Sequence, residues 1–153
     1  MNRSRYVTRP FDKIDRAIIA ALTENGRMTF KELAKQIGMS SPSVRDRVLK
    51  LEDAGAIRGY TIEVDPIVFG LSTLAFVRMN AMPGQVKKLE KLLEDSPEVI
   101  EAHHVTGEDC LLAKVVVSDV RELKMVIHRF QTCSSADTVI ILSSPVVRRL
   151  PKL

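Results

Sequence analysis

Between Met28 and Gly59, two stretches of helical hydrophobic period stand on either side of Gly38. Leu33, Ala34 and Ile37 precede it on one face, and Val44, Val48 and Leu51 follow at i, i+4 and i+7. Glycine at the junction lets the first helix stop in a left-handed conformation without a Cβ clash. Ser40 or Ser41 then offers an oxygen to cap the next helix, and Pro42 suits its first turn, where a missing N–H costs nothing. Two helices joined by a short turn around glycine, the second carrying Arg45, Arg47 and Lys50, form the helix-turn-helix pattern, whose second helix enters the major groove of DNA. An αα-hairpin with solvated charges has the same local pattern.

At about 100° per residue, the face away from Val44, Val48 and Leu51 is expected to carry Ser43, Asp46 and Lys50, with Pro42 near its start. Arg45 falls on a shoulder of that face, and Arg47 lies close enough to the buried stripe to be partly structural. The residues expected at DNA are therefore Ser41, Pro42, Ser43, Arg45, Asp46, Arg47 and Lys50, with Arg27, Lys31 and Arg58 at phosphates.

Upstream, Asp12 is an N-cap for a helix whose apolar stripe is Ile14, Ile18, Ala21 and Leu22, closed by Asn25-Gly26. Thr29 with Glu32 forms a capping box for the helix before Gly38, so three helices share one small core. Arg3, Arg5 and Arg9 lie in a basic arm ahead of Pro10 that either touches phosphate or does nothing. The net charge of +4 suits a polyanionic partner; residues 1–65 hold 12 Lys/Arg against 9 Asp/Glu, so most of the excess lies with the helix-turn-helix.

After the recognition helix, which Gly55 ends, Ile57–Val64 alternates as a short strand, giving the head a winged-helix-like outline. Asp65-Pro66 is a natural hinge, because proline removes a donor and biases its predecessor away from helix. It divides the chain into a DNA-binding domain, 1–65, and a second domain, 66–153. From Leu71 the period falls towards two. The expected order is a strand over Leu71–Ala81, a helix over Gln85–Glu94 with Val86, Leu89 and Leu93 inward, strands over Val99–Val105 and Cys110–Val117, a helix capped by Asp119 and Glu122 with Leu123, Val126, Ile127 and Phe130 on one face, and a last strand within Val139–Val147. This βαββαβ order is the ferredoxin-like arrangement, so the fold class is α+β. Leu74 and Phe76, and Leu112 and Val116, fall on the sheet face away from the helices; apolar residues there predict a homo-oligomer in which two sheets pack together.

Other classes find little support. No apolar run approaches a membrane span and the N-terminus lacks a signal-peptide core, so a cytoplasmic protein is expected. Cys110 and Cys133 are far apart, with no histidine at zinc spacing, and read as free thiols rather than a disulfide or metal site. His103 and His104 point to opposite faces of a strand. There is no nucleophile–base pairing or phosphate loop, so neither catalytic residues nor a cofactor are assigned.

Several motifs together resemble one family: Phe11-Asp-Lys-Ile-Asp-Arg16, Asn25-Gly-Arg27, Glu32-Leu-Ala34, Ile37-Gly-Met-Ser40, Val44-Arg-Asp-Arg-Val-Leu-Lys-Leu-Glu52, Ala56-Ile-Arg-Gly-Tyr60 and Val105-Thr-Gly-Glu-Asp-Cys110. They resemble the Lrp/AsnC, or feast/famine, transcription regulators of bacteria and archaea. The resemblance implies a sequence-specific regulator that binds double-stranded DNA as a homodimer joined through its C-terminal sheets and assembles further into an octamer of four dimers. It also implies an effector, an amino acid or related small molecule, bound between dimers near Thr106, Gly107, Glu108, Asp109 and Cys110. Ser134, Ser135, Asp137 and Thr138 form a second polar cluster that a neighbouring subunit can offer. Many relatives carry an acid three residues after the glycine, where it meets the effector's amino group; this chain has Cys110 there, and a thiol does not supply that charge. Read without the resemblance, Thr106–Asp109 is equally a hairpin turn. A nucleoid-like architectural protein without ligand is the alternative, separated by its ratio of specific to non-specific affinity.

Overall fold

The computed structural model describes residues 11–108 and 110–146. The basic arm with Arg3, Arg5 and Arg9, the loop residue Asp109, and Val147 at the end of the expected last strand lie outside the described residues. Two compact units divide the chain, one running to Glu63 and the other beginning at Val64.

The first unit is built from α1 (Lys13–Glu24), α2 (Phe30–Ile37) and α3 (Ser41–Asp53). Each start is capped by a side chain, so the orphan N–H groups of a helix N-terminus are satisfied locally. The Asp12 carboxylate accepts the Asp15 N–H at 2.8 Å, and Asp15 returns the contact by accepting the Asp12 N–H at 3.2 Å. Glu32 accepts the Thr29 N–H at 2.8 Å in the expected capping box of α2. Gly38 ends α2 at φ 75, the left-handed conformation that glycine adopts without strain. Of the two serines available to α3, Ser40 is the N-cap. Ile18, Ala21, Leu33, Ala34, Val44, Val48 and Leu51 form the buried core that the helical periods require.

The expected strand over Ile57–Val64 does not form. The segment joins no ladder among the described residues, and Ile62 is 79% exposed. Alternation makes a segment fit to pair but supplies no partner, and backbone groups left unpaired by the chain itself go to water. Among the described residues the head is thus a helix-turn-helix without a wing strand.

The second unit opens with a short 3₁₀ turn at Pro66–Phe69. It continues through β1 (Thr73–Ala81), α4 (Val86–Glu94), β2 (Val99–His104), β3 (Leu111–Val117), α5 (Val120–Phe130) and β4 (Ser134–Ile140). All strand pairs are antiparallel, in the spatial order β2-β3-β1-β4, which is the ferredoxin-like topology expected. Ala75, Val77, Met79, Leu111, Ala113, Val115 and Val117 on one sheet face pack with Leu89, Leu93, Leu123, Val126 and Phe130 of the helices. Ile127 is partly buried against the same core.

Two boundaries depart from expectation. Val86 is 39% exposed rather than inward, because the stripe that reaches the sheet begins one turn later at Leu89. The last strand starts at Ser134 and ends at Ile140, not within Val139–Val147. Ladder partners decide this: Ser134, Ser135 and Ala136 pair with Ala81, Asn80 and Met79, so poor strand formers are held in the sheet by their neighbours. On the face away from the helices, Phe76 pairs with Val139 and Leu74 with Val116, leaving Phe76 37% exposed. No helix among the described residues is long and apolar enough to cross a membrane.

Candidate functional site

The outward side of α3 has two distinct flanks. On one, Ser41, Pro42, Arg45, Asp46 and Leu49 line a groove of about 460 Å³ together with Phe30, the first residue of α2. On the other, Lys50 shares a small crevice with Arg47, Phe11 and Asp15. Helical spacing explains the split, since positions 42, 45, 46 and 49 recur at i, i+3, i+4 and i+7 and form one continuous stripe.

Charges on the helix differ in how they are held. Arg47 Nη1 donates to Asp12 at 2.7 Å and to Asp15 at 2.8 Å, tying α3 to the first turn of α1. The bond to Asp12, then that to Asp15, raises the guanidinium above its ordinary ionisation range. Lys50 donates to Asp46 at 2.6 Å across one helical turn. Ser43 turns its hydroxyl back to Ser40, 2.7 Å away. Arg45 is exposed and has no ion pair among the described residues, which leaves its fork open to a base edge or a phosphate.

The structure thus leaves Ser43, Asp46 and Lys50 exposed as expected, but all three are already bonded within their own helix or its cap, Ser43 to Ser40 and Lys50 to Asp46. Phe30 and Leu49 join this groove unexpectedly, although Leu49 lies within the wheel's outward sector; an apolar side chain carries no local signal of contact with a polar partner. Arg27 and Arg58 line a separate groove of about 790 Å³ with Thr23, Tyr60 and Ile62, while Lys31 is exposed on α2. Tyr60 donates to Glu52 at 2.8 Å, and partial burial with that carboxylate pushes its hydroxyl up to about 12.

In the second unit the 105–110 loop joins β2 to β3, with Gly107 at φ 121 in a region that favours glycine. Thr106, Gly107 and Glu108 are exposed. Cys110 is anchored to β1: its N–H donates to the Met79 carbonyl at 3.0 Å, and its Sγ accepts the Ala81 N–H at 3.2 Å. Ser135 pairs with Asn80 and Asp137 with Arg78, whose guanidinium lies 3.9 Å from the Asp137 carboxylate. The ladder therefore brings Ser135, Asp137 and Cys110 to the same end of the sheet. Thr138 departs from this cluster, because strand alternation turns it to the helix-covered face, where it is partly buried beside Val77. His104 bonds Glu90 on α4 at 2.8 Å, whereas His103 pairs with Leu112 on the open face. No group of three metal-ligating side chains that could hold an ion occurs among the described residues.

Residues 11–52 match the AsnC-type helix-turn-helix domain, and residues 74–151 match the Lrp/AsnC ligand binding domain. The chain is 34% identical to the regulatory protein AsnC of Escherichia coli (strain K12) over 148 residues, covering 91% of this chain and 95% of AsnC. Among solved structures it is similar to LrpC of B. subtilis, with a TM-score of 0.88 at 26% identity over 92% of this chain and all of that one, 100%. It is also similar to the feast or famine regulatory protein from M. tuberculosis complexed with L-methionine, with a TM-score of 0.86 at 31% identity over 93% of this chain and 99% of that one. Both halves match in chain order, and the chain belongs to the Lrp/AsnC family, DNA-binding transcription regulators that pair a helix-turn-helix with a ligand-binding domain.

Proposed function

We propose that this protein is a cytoplasmic, sequence-specific regulator that acts by binding alone. Its head, residues 1–65, reads double-stranded DNA, and its body, residues 66–153, dimerises and takes an amino acid effector. The observation that carries the DNA reading is the exposed stripe of Pro42, Arg45, Asp46 and Leu49 on the second helix of a helix-turn-helix. Arg45 reaches a base edge or phosphate, and Arg27, Lys31 and Arg58 hold the backbone. A dimer carries two such helices and fits a partly palindromic site with half-sites about 34 Å apart or a multiple of that. The open sheet face of Leu74, Phe76, Leu112 and Val139 supports dimerisation, since apolar residues on both faces of an antiparallel sheet call for a partner. Dimers assemble further into an octamer.

The effector is assigned to Thr106, Gly107, Glu108, Asp109 and Cys110, with Ser135 and Asp137 but not Thr138 as the second polar group; the L-methionine complex of the M. tuberculosis relative supports an amino acid. Selection of binding sites from a random duplex pool, followed by mobility shift with each amino acid, tests the whole reading. One amino acid should change DNA affinity several-fold, and DNA should change affinity for that amino acid by the same factor. A protein that enriches no sequence refutes the reading. One that enriches a site yet ignores every amino acid refutes the effector part.

A further inference from the structure

Leu49 is 45% exposed and Phe30 42% exposed, and with Pro42 they make an apolar patch beside the guanidinium of Arg45, which has no ion pair among the described residues, on one outward flank of α3. An exposed apolar side chain at the end of a reading stripe is unexpected if that stripe works only by hydrogen bonds. Facing a polar base edge, Leu49 would strip water from donors and acceptors and return nothing, which costs free energy. The major groove offers one apolar group, the C5-methyl of thymine. Three side chains interleaved with Arg45 and Asp46 are also far smaller than the apolar core of a protein–protein interface.

The geometry points to a thymine-methyl reader: Leu49, flanked by Phe30 and Pro42, makes a direct contact with the methyl of one thymine in each half-site, next to the base or phosphate taken by Arg45. The inference rests on the proposed DNA reading and makes Leu49 a specificity residue that a list of polar side chains omits. Burial of one methyl group corresponds to about a fourfold gain in affinity. Discrimination of that size adds to hydrogen-bonded readout at the neighbouring base without replacing it.

The test uses the intact protein and a site selected from a random duplex pool. Each thymine of that site is replaced in turn by uracil, which removes only the methyl, and affinity is measured by mobility shift at constant ionic strength. One replacement per half-site should weaken binding about fourfold. Leu49→Ala, whose fold is checked by thermal melting, should bind the thymine and uracil duplexes equally, while Arg45→Ala should still distinguish them. Indifference of the wild-type protein to every replacement, with site selection intact, overturns the inference and leaves the DNA reading standing. So does Leu49→Ala retaining the full thymine preference. Failure to select any site overturns both.

Discussion

The guanidinium of Arg47 bonds the carboxylate that caps α1 and the buried carboxylate of Asp15, so replacing it acts on the fold more than on contact with DNA. Arg47→Ala should lower the unfolding free energy of the head by roughly 1.5–3 kcal/mol, the range for hydrogen bonds between charged groups, as read by chemical denaturation of the full chain. The pH dependence has a definite sign. The Asp15 N–H first, and then Arg47, hold the Asp12 carboxyl below the usual carboxylate range. Its stabilisation is therefore complete above the unfolded value near 3.8 and is lost as pH falls through the lower folded value. In Arg47→Ala the folded value moves back towards 3.8, so this acid loss should be smaller and complete at higher pH, measured by thermal melting between pH 2 and 5. Arg47's place near the buried stripe is legible from the helical wheel, but its partners are not. Asp12 and Asp15 lie 35 and 32 residues away, and periodicity within one helix carries no information about pairs between helices.

Element boundaries were legible where local chemistry decides them. The Thr29–Glu32 capping box, the Asp12 cap and the left-handed Gly38 can each be read from a few neighbouring residues. At Gly38 an added Cβ meets nothing within 4 Å, so the cost of substitution is conformational and not steric crowding by neighbours. Gly38→Ala should destabilise the head by about 1–2 kcal/mol, and Gly38→Asn by less, since asparagine tolerates this conformation better. Comparison of denaturation midpoints checks both. Boundaries set by distant partners were not legible. The β-branched run at Val139–Ile141 looks like a strand by itself, yet the ladder with β1 moves the element back to Ser134. Ile57–Val64 has the right alternation and no ladder. The same distinction governs the effector cluster: strand alternation and register separate Thr138 from Ser135 and Asp137, and neither is fixed by a list of polar residues.

At the scale of the whole molecule, the two faces of the sheet make different demands. The helix-covered face supplies the core, so a charge on the other face should spare folding and break assembly. Phe76→Asp should retain its helical and strand circular dichroism but run as a monomer in light scattering at micromolar concentration, where the parent should run as a dimer or larger. Its affinity for a palindromic site should fall with it, because the gain from two linked heads is lost. The ion pairs of α3 have a further consequence for this assembly. With Arg47 held by Asp12 and Asp15 and Lys50 held by Asp46, Arg45 is the basic side chain of the helix that remains to displace a counterion from phosphate. Plotted as log affinity against log potassium chloride, the slope should become shallower by about 0.9 per head in Arg45→Ala and stay unchanged in Arg47→Ala. A regulator wired in this way keeps its reading helix comparatively insensitive to swings in ionic strength, and leaves that sensitivity to the basic residues around it.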